Sequence, residues 1–150
     1  MIGQIKVRKF RRVDNVEYSS WFSDPSMHKT MGPTWNDEEL DHIFSEEKAS
    51  VLSAFHSSEL VGVVSLAFPD DEISSYGITG IAVKPQRQRQ GYGAKIILAA
   101  QNYCNTPKGQ EWLGFVSVNN HPAQEFMDKQ GWKKQGAEYE MIRYTFTQMA

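Results

Sequence analysis

Apolar and charged residues alternate near the start of the chain, where Ile5, Val7 and Phe10 stand among Lys6, Arg8, Lys9, Arg11 and Arg12. That period of two predicts a half-buried strand. Residues 14–22 then read as a short helix, and the pairs Asp24-Pro25 and Gly32-Pro33 punctuate the loop after it. Asn36 followed by Glu39 has the form of a capping box, with Leu40, Ile43 and Phe44 as the buried stripe of the helix it opens. Residues 51–56 and 60–68 are strand-like and are joined by the polar turn Ser57-Ser58-Glu59. A strand over 76–83, a polar loop over 84–90 and a helix from about Gly91 follow, the helix carrying Ile96, Ile97, Ala100 and Cys104 at helical spacing. A strand over 112–118, a short helix over 123–130 ended by Gly131, and strands over 132–134 and 140–146 complete the pattern. Strands and helices in this order predict an α/β protein of two or three layers.

Composition narrows the classes. A chain of 150 residues, 40% of them hydrophobic, is long enough to bury a core, and no repeat or Pro/Gly/Ser-rich linker divides it. One domain over 1–150 is therefore expected. The formal charge of −2 gives no basic excess that would point to nucleic acid. The basic residues of the first strand read as edge protection. Nothing approaches the run of about 20 apolar residues that a membrane span needs. Cys104 is the only cysteine, so no internal disulfide can form, which suits a reducing cytoplasm; its place in an apolar stripe suits packing. No set of residues calls for a metal.

The most informative stretch is Ile81-Ala82-Val83-Lys84-Pro85-Gln86-Arg87-Gln88-Arg89-Gln90-Gly91-Tyr92-Gly93-Ala94. It runs from a strand through a polar loop into a helix that opens with glycines. Amide N–H groups at a helix N-terminus, with the helix dipole behind them, favour an anion. Gly91 and Gly93 let a phosphate approach the backbone, and Lys84, Arg87, Arg89 and Lys95 add positive charge. A Walker A loop is excluded because Gly93 is followed by Ala94-Lys95-Ile96, and a dinucleotide fingerprint because Ile96 stands where a small residue is required. The same residues also read as a polar turn before a core helix.

Gln88-Arg89-Gln90-Gly91-Tyr92-Gly93 resembles the acyl-CoA loop of the GNAT superfamily, Gln/Arg-x-x-Gly-x-Gly/Ala. A second segment, from Asn120 through Ala123, Phe126, Met127 and Lys129 to Gly131 and Trp132, resembles that family's Asn-x-x-Ala-x-x-Leu-Tyr-x-Lys-x-Gly-Phe. The resemblance implies a GNAT-like acyl-CoA N-acyltransferase fold, with a mixed, mostly antiparallel sheet of six or seven strands flanked by about four helices. It implies acetyl-CoA as co-substrate and direct transfer of the acetyl group to an amine. It further implies that the pantetheine arm pairs with Ile81, Ala82 and Val83, that the pyrophosphate sits on the amides of Arg89 to Ala94 (through Gln90, Gly91, Tyr92 and Gly93), and that Asn120 bonds the arm. An N–H near Val83 would stabilise the oxyanion.

Two departures bear on catalysis. Met127 stands where many members have a tyrosine acid, and a methionine donates no proton. The place of a fourth-strand glutamate base falls near Gly77. Tyr76, Glu72, His28 and His121 are candidate bases, each also readable as a core or loop residue, so no catalytic residue is assigned. The stretch from Val13 to Glu47 carries nine carboxylates against Lys29 alone. It reads either as a wall attracting a cationic amine or as a solvated helix face. The expected acceptor is an amine of a small molecule or a peptide, on a monomer or homodimer. The competing class is a catalytically silent CoA-binding module acting as sensor or scaffold.

Overall fold

The computed structural model describes residues 3–27 and 35–148; His28, Lys29, Met31 and Gly32-Pro33 lie outside the described residues. Seven strands form one sheet: β1 (Ile5–Lys9), β2 (Ala49–His56), β3 (Glu59–Ala67), β4 (Tyr76–Val83), β5 (Glu111–Ser117), β6 (Lys133–Glu138) and β7 (Met141–Thr147). Their order is β1-β2-β3-β4-β5-β7-β6. Every neighbouring pair is antiparallel except β4–β5, which is parallel. Four α-helices lie wholly within the described residues: α1 (Asp14–Ser20), α2 (Asp37–Ser45), α3 (Tyr92–Cys104) and α4 (His121–Lys129). A 3-10 turn, Trp21–Ser23, extends α1. The mixed, mostly antiparallel sheet expected from the sequence is present.

Strand alternation sorts the core into two layers. Leu52, Ala54, Val61 and Val64 pack with Ile96, Ile97 and Ala100 of α3 and Met127 of α4. Val51, Leu60, Val63 and Ala82 face the other way, onto Tyr18, Trp21, Met27 and Leu40. Gly62 lies beneath α3, where an added Cβ would meet the Ile96 side chain and stand 3.1 Å from the Ala82 carbonyl oxygen. The capping box of α2 forms as read, with Asn36 Oδ1 accepting from Glu39 N–H at 2.8 Å and Glu39 Oε1 accepting from Asn36 N–H at 3.0 Å. The N-terminus of α1 is pinned by Asp14, whose carboxylate accepts from Arg8, the Arg11 amide and Ser53. Burial acts to raise its pKa, but these donors outweigh burial and lower it.

The chain end departs from its pattern. The last two strands run longer than the apolar pattern implied and meet at Tyr139-Glu140, both at positive φ (51° and 63°). Positive φ at both central residues is the type I′ geometry of a two-residue hairpin. Neither residue is the glycine or asparagine that announces such a turn.

Candidate active site

The ladder between β4 and β5 contains only Tyr76↔Trp112, Gly77↔Leu113 and Ile78↔Gly114. Beyond Ile78 the two strands part. The opening coincides with a bulge: β3 pairs Leu66 with Ile78 and Ser65 with Gly80, which leaves Thr79 as the extra residue. A bulge bends its strand and increases local twist, and this one turns β4 away from β5. Lys84 N–H donates to Val61 C=O at 2.8 Å. By the alternation of an antiparallel ladder, the amide groups of Ala82 then face β3, while those of Ile81 and Val83 face the open split.

Two cavities occupy the split. One, of about 390 Å³, is bordered by Met27, Ile81, Val83, Arg89, Gly93 and Asn120. The other, of about 310 Å³, lies at the apex between Ile78, Gly80, Gly114, Val116 and Met127. Ile81, Asn120, Ala123 and Phe126 line both, so they form one cleft. Asn120 caps α4, its Oδ1 accepting from Ala123 N–H at 3.2 Å, which leaves the NH₂ of the side chain as its free donor group.

At the mouth of the cleft, residues 84–91 lead into α3. Gly91 is its N-cap at φ 89°, and no side chain caps the helix. The first-turn amides of Tyr92, Gly93 and Ala94 therefore have no intrahelical acceptor. Arg89 is also left-handed, at φ 62°, an unusual conformation for a side-chain-bearing residue. Gln88 turns back, donating to Val83 C=O at 3.0 Å and reaching Met27 Sδ at 3.2 Å. Gln90 donates to Gln86 C=O. Tyr92 contributes backbone only, because its ring is buried and its hydroxyl meets His56 Nδ1 at 3.0 Å. Gly93 has a packing reason: a Cβ there would stand 3.0 Å from the Phe126 ring.

The charge around the loop is smaller than the sequence suggested. Arg87 grips Glu59 through two bonds, at 2.9 and 2.8 Å, and Lys84 reaches Glu59 at 3.3 Å and Glu17 at 3.6 Å. The Arg87 bond first, then Lys84, holds the Glu59 carboxyl down at about 2. Arg89 and Lys95 are the two of the four cations that make no ion pair among the described residues.

Seven of the nine carboxylates in the acidic stretch are likewise engaged within the fold. Asp14 pairs with Arg8, Glu17 with Lys84, and Asp37 and Asp41 with Arg12. Asp24, Glu39 and Glu46 accept backbone N–H groups. None of these carboxylates lines the cleft. The candidate bases fare no better. Tyr76 packs on the buried Trp112 in a tilted ring pair with centroids 5.1 Å apart, while Glu72 and His121 are exposed outside the cleft lining. Among the described residues, Arg89 is the only ionisable side chain bordering the cleft.

A split parallel strand pair, apolar inside, with an uncapped glycine-led helix at its mouth suits a long thin ligand ending in an anion. The sequence pattern of the acetyltransferase (GNAT) family matches residues 12–132. The chain belongs to the GNAT acetyltransferase family. No curated protein sequence matches it. Among solved structures, an acetyltransferase from Thermus thermophilus superposes with a TM-score of 0.81 at 14% identity, covering 97% of this chain and 98% of that one. An aminoglycoside acetyltransferase bound to coenzyme A gives 0.79 at 16% identity, covering 96% and 95%. A spermidine N-acetyltransferase from Vibrio cholerae, with CoA and spermine, gives 0.75 at 17% identity, covering 97% and 96%. At such identities the likeness is one of fold.

Proposed function

We propose that the protein transfers an acetyl group from acetyl-CoA to a primary amine by direct attack on the thioester. The observation that carries this reading is the split between β4 and β5, with the amide groups of Ile81 and Val83 unladdered along one wall. Bound in the cleft, the co-substrate supplies an activated acetyl group on a thiol leaving group. The chain's part is to hold and orient it. The amides of Arg89 to Ala94 receive the pyrophosphate, where αL Gly91 and the missing cap leave donors pointing outward. Ile81 offers an N–H and a C=O to the arm. The Val83 carbonyl is already taken by Gln88, so its N–H is the group left to meet charge growing on the thioester oxygen. The NH₂ of Asn120 points the other wall's donor at the arm.

No base lines the cleft among the described residues, so the attacking amine gives its proton to solvent. Met127 offers the departing sulfur no proton either. A thiol pKa of ~8.5 makes thiolate a tolerable leaving group without one. This keeps transfer chemically reasonable where the alternative, a silent coenzyme-binding module, would also tolerate Met127.

Acetyl-CoA is expected to raise the melting temperature, since it binds the folded state alone. Gly91→Glu, which sets a carboxylate against the phosphates and a side chain at φ 89°, is expected to abolish that shift. Release of free thiol that depends on an added amine separates the transferase from the silent module. A folded Gly91→Glu protein that keeps the full shift would remove the loop from the site.

A further inference from the structure

The sheet carries a second hollow beside the split. Register sets Phe115 of β5 opposite Arg143 of β7, and Arg143 opposite Gly136 of β6. Cross-strand partners point to one face, so these three form a row. It lies on the face away from α3 and α4, which cover Trp112, Val116, Ile142 and Tyr144. Gly136 leaves the floor open: at φ 130° a Cβ there would have nothing within 4 Å. The hollow measures about 350 Å³ and is walled by Phe115, Glu138, Tyr139, Met141 and Arg143. Phe115 and Met141 also line the apex of the cleft, so the hollow and the cleft form one continuous groove.

The groove is apolar along its length and charged at its end. Phe115 is 45% exposed, Met141 37% and Tyr139 91%, large side chains left uncovered around a single depression. Arg143 makes no ion pair with any described carboxylate, Glu138 included. A guanidinium without a partner at the end of an apolar groove matches a carboxylate, which it can hold through two parallel bonds. Arg143 stands about two strand spacings across the sheet from the split and, being level with Phe115, about two to four residues along it from Ile81 and Val83, roughly 12–16 Å between backbones, of which the arginine side chain can span about 6 Å. One residue of extended chain spans about 3.5 Å. A single α-amino acid is too short to reach from the thioester to Arg143, and a chain of about three residues is the right length.

We infer that this groove is the acceptor site and that it takes an amine bearing a carboxylate about 10 Å away. A short peptide with a free C-terminus meets that description. Its carboxylate lies on Arg143, its body over Phe115 and Met141, and its N-terminal amine beside Ile81 and Val83. The inference rests on the transfer reading above and adds the acceptor class. Glu138, on the same wall, is the group a polyamine would choose instead, which makes polyamines the natural competitor.

The test uses four acceptors: trialanine, trialanine amide, alanine and spermidine. Each is titrated into the CoA-saturated protein by calorimetry and assayed for acetyl-CoA-dependent thiol release. Trialanine is expected to bind about tenfold more tightly than its amide, the scale of one charge-assisted bond near solvent. Arg143→Gln, at an exposed position, is expected to keep the wild-type melting temperature, raise KM for trialanine and erase the difference from the amide, with kcat little changed. Arg143→Lys should restore part of it. Equal binding of trialanine and its amide, a preference for spermidine, or discrimination that survives Arg143→Gln would overturn the inference while leaving acetyl transfer intact. A protein whose melting temperature ignores acetyl-CoA would overturn both.

Discussion

Met127 packs so that its Cε sits over Gly114, where an added Cβ would approach it to 2.9 Å and the Trp132 ring to 3.3 Å. The residue is buried at the apex of the cleft and fills the space that the missing side chain leaves. Its task is thus one of shape. Met127→Leu is expected to leave the turnover rate nearly unchanged and to cost under about 1.5 kcal/mol, as a volume-conserving swap. Gly114→Ala is expected to destabilise by about 1–3 kcal/mol through overpacking. Met127→Ala alone should cost about 2–5 kcal/mol, and in its background Gly114→Ala should cost much less than in the wild type, because contacting residues couple. Denaturant melts of the four proteins measure the coupling, and additive losses would mean that the two side chains do not share the space. The sequence exposed Met127 as a departure from its family but not the reason, since nothing local pairs residue 127 with residue 114. Asn120 and Gly91 were singled out by the family resemblance of their segments, whereas the N-cap role of Asn120 and the left-handed φ of Gly91 came only with the structure. Arg143 and Phe115 were not, because only the pairing of β5 with β7 brings them together.

The loop over residues 84–91 gains its shape from elements outside it. Lys84 and Arg87 read from sequence as cations around an anion, yet both reach back to Glu59 at the start of β3. The loop is therefore tied at its entrance, and its amides, with Arg89 and Lys95, remain for a ligand. Glu59 has a folded pKa of about 2, below the ordinary carboxylate value of 4.5. A depressed carboxylate contributes its stability above the unfolded pKa and loses it as the pH falls through the folded one. The loss belongs between about pH 4.5 and 2. Glu59 and its partners remain partly exposed to solvent, so the contribution is under about 1 kcal/mol. Glu59→Gln is expected to lower the melting temperature by no more than ~3 °C at neutral pH, and to flatten the acid limb over that window. A variant whose acid limb matches the wild type would show that the ion pairs do not hold the loop. Short-range signals such as the capping box of α2 and the helix start at Gly91 were visible in the chain. The Glu59 clamp and the bulge at Thr79 depend on β3–β4 register, which the apolar pattern does not record.

At the scale of the whole molecule, the sheet is two antiparallel blocks, β1 to β4 and β5-β7-β6, laddered to each other through residues 76–78 alone. Below the split the buried Trp112, Ile97 and Met127 hold the blocks together, while above it no backbone bond joins them among the described residues. On the proposed function, a ligand lying in the split would replace the missing ladder and give the Ile81 and Val83 amides acceptors that no strand provides. Hydrogen exchange reads this directly, since protection reports local opening amide by amide. Without ligand, the amides of Ile81 and Val83 are expected to exchange faster than those of Ala82 and of Lys84 just past the strand end, which face β3. With saturating CoA, protection is expected to rise most at Ile81, at Val83 and over residues 89–94. It should change little in β1 and β2, apart from the uniform gain that any ligand gives through global stability. Alternate residues of one strand would then respond differently, which a general tightening of the protein cannot produce. Equal slowing at residues 81, 82, 83 and 84 would mean that the coenzyme does not pair with β4, and the split would have to serve something else.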